Sequence, residues 1–368
     1  MIVKRFWAEN FRNIEKCDIK FSPGVNLLYG QNAQGKTNVI EGIYYFSRGK
    51  SFRGREDKEL VRFGSEGFRI SVDYEDDAGD GSLEYAMFGR ERLRKKNGYK
   101  LKSVTEMLGS FRAVLFYPDD LSLVKDGPEE RRSFLNVAVS TCYPAYVRYY
   151  SDYKKALENR NCILKMMQKG LYIDQNELAS WSASMAEYAS HIYLRRREYV
   201  NRLTVYARQV MREISDGTEE LSISYESHIP AEISDRAEIK AEYERILSSS
   251  LDREIAAGVS LYGPHREELA IEINGKSARA FASQGQQRSI VLAMKLAEGE
   301  VIKEICGDYP VFLFDDVLSE LDDKRRKYVL DGIGERQIII TACNKGECVG
   351  YTDSEIEVTG GQYVSSHR

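Results

Sequence analysis

Three stretches of this sequence carry residue types at spacings suited to chemistry. In the first, GVNLLYGQNAQGKTNVIEGIYYF, residues Gly30, Gln31, Asn32, Ala33, Gln34, Gly35, Lys36 and Thr37 fit the phosphate-loop pattern G-x-x-x-x-G-K-[ST] without a mismatch, and Asn38 follows. Glycines at 30 and 35 let backbone N–H groups turn inward around phosphates, Lys36 reaches the β and γ oxygens, and the Thr37 hydroxyl suits Mg²⁺. The second stretch, PVFLFDD, is an apolar run ending in Asp315 and Asp316. One acid at such a strand end holds Mg²⁺ and the other polarises an attacking water; Asp315 is assigned to the metal and Asp316 to the water. The third, FASQGQQRSIVLAMKLAEGE, places Ser283 three residues before Gln286, a capping box that opens a helix through Gln284 and Gly285. Unpaired N–H groups at that positive helix end suit a phosphate, although the same pattern also fits an ordinary capped core helix.

These residues need elements to hold them. Val25 to Tyr29 is a short apolar run ended by a glycine loop, and Val39, Ile40, Ile43 and Phe46 recur at helical spacing, which gives strand, loop and helix in order. From Tyr74 to Val104, glycine-bearing turns separate short alternating segments, so a β-rich flank with a hairpin or meander is expected. From about Asp119 the chain turns helical, broken at Pro144 and at QKGLYIDQN. Leu178, Trp181, Met185, Tyr188 and Ile192, then Tyr199, Leu203, Tyr206 and Val210, follow a three-four rhythm that two long helices packed side by side would bury. A helix from Glu177 to Ile214 would run ~57 Å at ~1.5 Å per residue, long enough to project as an arm, with Asp216-Gly217 as its stop. Asn274-Gly275 marks a two-residue hairpin turn, and the continuous apolar strands VFLF and QIIIT, alternating with helices, imply a parallel sheet covered on both faces. The expected organisation is an α/β head built from residues 1–118 and 218–368, with a helical arm, 119–217, inserted between them.

Composition agrees with a globular chain: 368 residues, 42% hydrophobic and 30% charged, with no apolar run of membrane-spanning length. The start, MIVKRFWAENF, lacks the features of a secretory signal, so a cytoplasmic protein is expected. Six cysteines without a C-x-x-C pair suggest neither a zinc site nor a disulfide framework. With 53 Lys+Arg against 57 Asp+Glu, any nucleic-acid contact must come from local patches. Two are candidates: Arg53 and Arg55 in SRGKSFRGR, and Arg94, Lys95 and Lys96 on the expected hairpin. Solvated basic loops are the alternative for both.

The serine-glycine-glutamine helix start, the acid-ended strand and SELD at 319–322 resemble the signature, Mg-binding strand and D-loop of ABC-type ATPases. More closely, ENFRNIEKCDIKFSPGVNLLYGQNAQGKTNVIEGIYY, FYPDDLSLVKDGPEERRSFLN, LYGPHREEL, ASQGQQRS and LFDDVLSELD together resemble the RecF family of bacterial DNA repair and replication proteins, related to the SMC heads. The resemblance runs from Val3 to about Thr341. It implies an ABC-type P-loop ATPase head that takes ATP and Mg²⁺, forms an ATP-dependent homodimer and binds double-stranded, gapped or junction DNA. It further implies work with RecR, and functionally with RecO and RecA, away from any membrane. In that dimer the signature residues Ser283, Gln284, Gly285 and Gln286, with Asp322 of the D-loop, would face the nucleotide of the second subunit. Arg12 in NFRNI matches a basic position near the nucleotide, or else is an exposed strand arginine. Arg131, Arg132, His265 and Arg266 fall in family motifs, where a salt bridge or turn serves as well as a functional role. Asp316 where many ABC ATPases have glutamate, and Thr341 where transporters often carry histidine, imply slow hydrolysis. An ATP-binding scaffold without useful turnover, or a transporter subunit without DNA function, are the other readings.

Overall fold

The computed structural model describes all residues except Arg55, Tyr172, Ile173, Ile333, Val349 and Arg368, and only the backbone of Gln175, Glu347, Ser366 and His367. Apolar runs with no polar alternation form strands buried on both faces: β3 (Val25–Tyr29), β8 (Ala113–Phe116), β12 (Val311–Asp315) and β13 (Ile338–Ala342). With β14 (Ser354–Thr359) and β15 (Gln362–His367) they make one sheet in the order β15-β14-β3-β13-β12-β8. Every neighbouring pair in it is parallel except the terminal β14–β15 hairpin, which turns at Gly360-Gly361. Both ends of the chain thus enter a single α/β sheet.

The expected β-rich flank is an antiparallel sheet in the order β2-β1-β4-β5-β6-β7, made of β1 (Ile2–Phe11), β2 (Ile14–Lys20), β4 (Gly67–Asp76), β5 (Gly79–Phe88), β6 (Glu91–Lys96) and β7 (Tyr99–Lys100). Its inward residues Phe6, Phe11, Phe68 and Tyr85 share a core with Ile40, Ile43 and Phe46 of the helix Lys36–Arg48. Each buried phenylalanine contributes about 1.5–3 kcal/mol relative to exposure. That cluster fixes the phosphate-loop helix against the flank.

The chain divides into two compact units, one of residues 1–122, 206–220 and 283–368, the other of 123–205 and 221–282. This differs from the expected boundaries. Residues 221–282 group with the helices because β9 (Leu221–Glu226), β10 (Glu268–Ile273) and β11 (Lys276–Ser277) form their own sheet, and Arg131 in the helix Pro128–Cys142 pairs with Glu268 at the start of its central strand. Residues 206–220 group with the first unit, where Tyr206 meets Glu304 and Tyr328 meets Glu213. The long helix Gln175–Ile214 therefore contributes to both units, and it stops before Asp216 and Gly217, both at positive φ.

Within the second unit the helix Ala145–Gln168 runs antiparallel to the long helix: Tyr146 meets Arg196, Tyr149 stacks on His191, and Arg160 meets Ser182. The seam buries Leu178, Met185, Ile192, Tyr199 and Leu203 as the rhythm required, and it also buries Arg160 and Arg196, which no apolar pattern reveals. Arg196 is satisfied by Tyr146, Tyr225, Asn136 and the Pro264 carbonyl. Arg131, Arg132 and His265 have structural work here. Arg131 grips Glu268 through two bonds of 2.9 Å and takes the Leu123 and Asp126 carbonyls. Burial pushes the His265 imidazole down to about 4, so the ring is neutral; it donates from Nε2 to the Ser260 carbonyl and accepts the Tyr153 hydroxyl at Nδ1. Arg132 donates to the Glu267 carbonyl, and Arg266 is exposed. Among the described residues no helix is long and apolar enough to cross a membrane.

Arg160 and Glu254 are a fully buried ion pair at 2.6 Å, completed by Ser182, Ser260 and the Leu261 N–H. Glu254→Ala leaves the guanidinium uncompensated and is expected to destabilise the second unit by about 3–5 kcal/mol. In a Trp7→Phe background only Trp181, which packs on Ile163 and Leu164, reports unfolding. A urea midpoint unchanged by Glu254→Ala would contradict the assignment.

Candidate nucleotide site

β3 delivers the chain to the carboxyl edge of the parallel sheet, between β13 and β14, and the loop from Gly30 to Gly35 turns it into the helix that starts at Lys36. The tight turn depends on Gly30, at φ 152°, where a Cβ would lie 2.2 Å from the Val358 carbonyl oxygen of β14. Ala33 sits at φ 65° and its carbonyl accepts Asn13 Nδ2 at 3.1 Å. Gln34 accepts the Gly360 N–H at 2.7 Å, and Asn32 accepts Cys343 Sγ at 3.0 Å. The loop is thereby pinned from three directions. Lys36 is buried, and its ammonium donates to the Gly30 and Gln31 carbonyls at 2.6 and 3.0 Å, inside the concavity.

β12 and β13 run in register with Asp315 opposite Thr341. Asp315 Oδ1 accepts the Thr37 hydroxyl at 2.9 Å and the Thr341 hydroxyl at 2.8 Å. The same Thr341 oxygen accepts the Asp316 N–H at 2.9 Å, which holds Asp316 in the left-handed region at φ 54°. Burial pushes the Asp315 carboxyl above its ordinary range; the hydroxyls of Thr341 and Thr37 oppose this, and the Asp316 charge adds to it. An approaching cation reverses that balance, because it favours the ionised form.

A second node lies on the loop helix. Glu41 is fully buried, one turn beyond Thr37, and accepts Arg12 at 2.6 and 3.0 Å, Arg53 at 2.5 Å and Ser51 at 2.5 Å. Burial pushes its carboxyl up, but the hydrogen bonds from Arg12 and the charge of Arg53 outweigh this, with Ser51 assisting, so it lies below the usual range. Arg12, itself at φ 55°, also donates to the Glu59 carbonyl at 2.8 Å. Arg53 further donates to Asn38, which in turn bonds Asn13.

The resulting cavity, ≈ 680 Å³, is lined by Arg12, Asn13, Lys36, Thr37, Arg53 and Asp316, among others. The structure therefore brings together the loop, both acids and Arg12. It does not bring the signature stretch: none of Ser283, Gln284, Gly285 and Gln286 lines the cavity. Ser283 caps the helix Gln284–Cys306 through reciprocal bonds with Gln286, at 3.3 and 2.9 Å, and Ser283, Gln284 and Gly285 are exposed. Asp322 caps a different helix, Asp323–Asp331, through the Arg325 N–H at 2.9 Å.

The described residues expected to meet DNA lie on β6 and on the cavity wall. Along β6 successive side chains alternate faces, so Lys95 is directed away from Arg94 and Lys96. Each is only partly exposed: Arg94 lies over the Tyr85 ring, Lys95 bonds Glu84 at 3.3 Å, and Lys96 bonds Ser110 at 2.9 Å. Arg53 belongs to the cavity wall, and Arg55 lies outside the described residues. Sequence reasoning missed Asn13, Glu41 and Ser51; the one available signal was a glutamate on the apolar face of the loop helix, beside Ile40 and Tyr44.

Comparison with known proteins places this geometry among relatives. The model of the RecF/RecN/SMC N terminal domain matches residues 2–363. The DNA replication and repair protein RecF of Acetivibrio thermocellus is 39% identical over 348 residues, 94% of either chain. A solved structure of the recombination mediator protein RecF-ATPrS in the RecFOR pathway superposes with a TM-score of 0.91 at 36% identity, covering 99% of this chain and 97% of that one. The Smc head domain of Pyrococcus furiosus, at 18% identity and a TM-score of 0.57 over 100% of this chain and 96% of that one, shares the fold.

A carboxyl held below its unfolded value contributes stability that is present above about pH 4.3 and is lost as the pH falls through the folded value. Glu41→Gln is expected to lower the stability of the first unit by about 2 kcal/mol or more near neutral pH, and to make it less sensitive to acid below about pH 4.3. Acid titration followed by Trp7 fluorescence, in a Trp181→Phe background, checks this. A variant with the wild-type acid profile would remove Glu41 from the arginine clamp.

Proposed function

The chain belongs to the RecF family, and from that membership and the phosphate cradle we propose an ATP-dependent DNA-binding protein of recombinational repair and replication-fork maintenance. The observation that carries the nucleotide part is the bond from Thr37 to Asp315, 278 positions away, beside a cavity lined by Lys36, Thr37 and Asp316. Neighbours solved with ATP support ATP as its ligand.

In this reading the loop N–H groups and Lys36 hold the β and γ phosphates, and Arg53, whose charge is felt at Asp315, flanks them with Arg12. Thr37 and Asp315, two hard oxygen donors joined at 2.9 Å, fit Mg²⁺, which needs few protein ligands beside phosphate and water. The ion supplies charge neutralisation on the phosphates. Asp316 is placed to polarise a water, but its carboxylate is short and its backbone is tethered to Thr341. The Thr341 hydroxyl gives its proton to the Asp315 carboxylate and accepts the Asp316 N–H, so it has no proton to offer elsewhere. Turnover is therefore slow.

The signature helix acts on another subunit's nucleotide. Its mouth lies apart from its own cavity, and Gly285 is not required by this chain's own fold: a Cβ there would meet nothing within 4 Å, and the residue has no positive φ. An exposed helix N-terminus of that kind fits an incoming phosphate. ATP thereby drives a homodimer through Ser283, Gln284 and Asp322. With DNA as the substrate surface, the dimer works in the cytoplasm with RecR and RecO to promote RecA loading at single-strand gaps, as relatives named for DNA replication and repair and for the RecFOR pathway support.

Asp316→Asn is expected to bind ATP and dimerise while hydrolysing about 10²-fold or more slowly, because Asp315 and Thr37 remain and only the water loses its polariser. Turnover at the wild-type rate would reverse the roles of the two acids.

Ser283→Arg should keep monomeric ATP binding and block dimerisation, and Lys36→Ala should fail at binding. Mixed together, the two proteins can form a dimer with one intact composite site, so nucleotide-dependent dimer should reappear in sedimentation. A mixture that stays monomeric with ATP, where wild type dimerises, would show that loop and signature act within one chain.

A further inference from the structure

Two elements of the proposed dimer face, the signature helix mouth and the Asp322 cap, belong to separate helices, yet one side chain ties them. The Arg325 guanidinium donates from Nε and Nη2 to the Ser289 hydroxyl at 2.9 and 2.6 Å. The Ser289 hydroxyl donates its own proton to the Gly285 carbonyl at 3.0 Å. On its other side Arg325 reaches Asp322, with Nη1 bonded to one carboxylate oxygen and its backbone N–H to the other. Ser289 is fully buried, so no water competes for its hydroxyl. Beside this bridge Arg288 pairs with Glu320 at 3.6 Å, a second link between the same two segments.

We propose that Arg325 is a positioning residue that locks the signature mouth, through Ser289 and Gly285, to the Asp322 cap, so that both present themselves as one rigid edge to the second subunit. This rests on the reading that the signature serves the partner's nucleotide. The physical reason is that a helix N-terminus and a loop cap moving independently would each have to be ordered at association, whereas joined in advance they are ordered once. Arg325 lines no part of the nucleotide cavity, so ATP capture by the single chain does not involve it.

The test uses the full chain with ATP and Mg²⁺, and follows two constants: ATP affinity by titration at a concentration where the chain is monomeric, and dimer affinity by sedimentation. Arg325→Met is expected to weaken the dimer by about ten-fold or more, the equivalent of one charge-assisted hydrogen bond, with ATP affinity unchanged. Ser289→Ala should weaken it in the same direction. The double variant should be no weaker than Arg325→Met alone, because both break one bridge. Arg325→Lys, which keeps a donor, should recover part of the loss and guards against a misfolded methionine variant. Wild-type dimer affinity in Arg325→Met, or strictly additive losses in the double variant, would overturn the inference while leaving the trans reading intact. A wild-type chain that stays monomeric with ATP in the same run would overturn both.

Discussion

The hydrogen bond from the Thr37 hydroxyl to Asp315 joins residues 278 positions apart, and it exists only because β3, β13 and β12 lie side by side with their carboxyl ends level. That alignment follows from burial. Each strand is apolar on both faces and can hide its side chains only in the interior of a parallel sheet, where register is fixed by packing on two sides at once. The loop, the two acids and Thr341 then emerge at the same edge without any contact of their own having to pull them there. Their short polar bonds are a consequence of the sheet and are strong because the sheet keeps water from them.

What local patterns encode was legible in the sequence. The phosphate loop, the Ser283–Gln286 capping box, the Asn274-Gly275 turn and the buried strands are each specified within a few residues, by backbone geometry or by unbroken hydrophobicity. The alternation that set the β-rich flank was legible too. What escaped were the polar groups whose value depends on partners distant in sequence. Glu41 looks like a misplaced charge on an apolar helix face until Arg12 and Arg53 close on it from different loops. Arg160 and Arg196 interrupt the helical seam, where an apolar rhythm gives them no place, yet each is buried among hydrogen-bond acceptors. Likewise Arg94, Lys95 and Lys96 are consecutive in the chain, and the pleat of β6 sends them to opposite faces.

The second unit departs from the helical rhythm for a related reason. Helical rhythm ends near Asp216, so composition suggests that the insertion ends there too. The grouping is decided instead by β9 and β10, which pair with each other and leave Glu268 in reach of Arg131. A charged residue at the start of one strand and an arginine at the first turn of a helix 137 positions earlier carry no joint signature in a single sequence.

The strand order has a consequence for how the protein is made. β3 is flanked on both sides by β13 and β14, which begin only at Ile338 and Ser354, so its backbone donors and acceptors lack these neighbours until those residues have been made. A nascent polypeptide must therefore carry Leu27 and Leu28 without their flanking strands until then, a state prone to aggregation and slow to resolve because the loop to be closed is long. The second unit draws all its strands and helices from residues 123 to 282 and can assemble earlier. The phosphate-loop pattern is in this sense completed late, since the Gly360 N–H that pins Gln34 lies 326 positions after it.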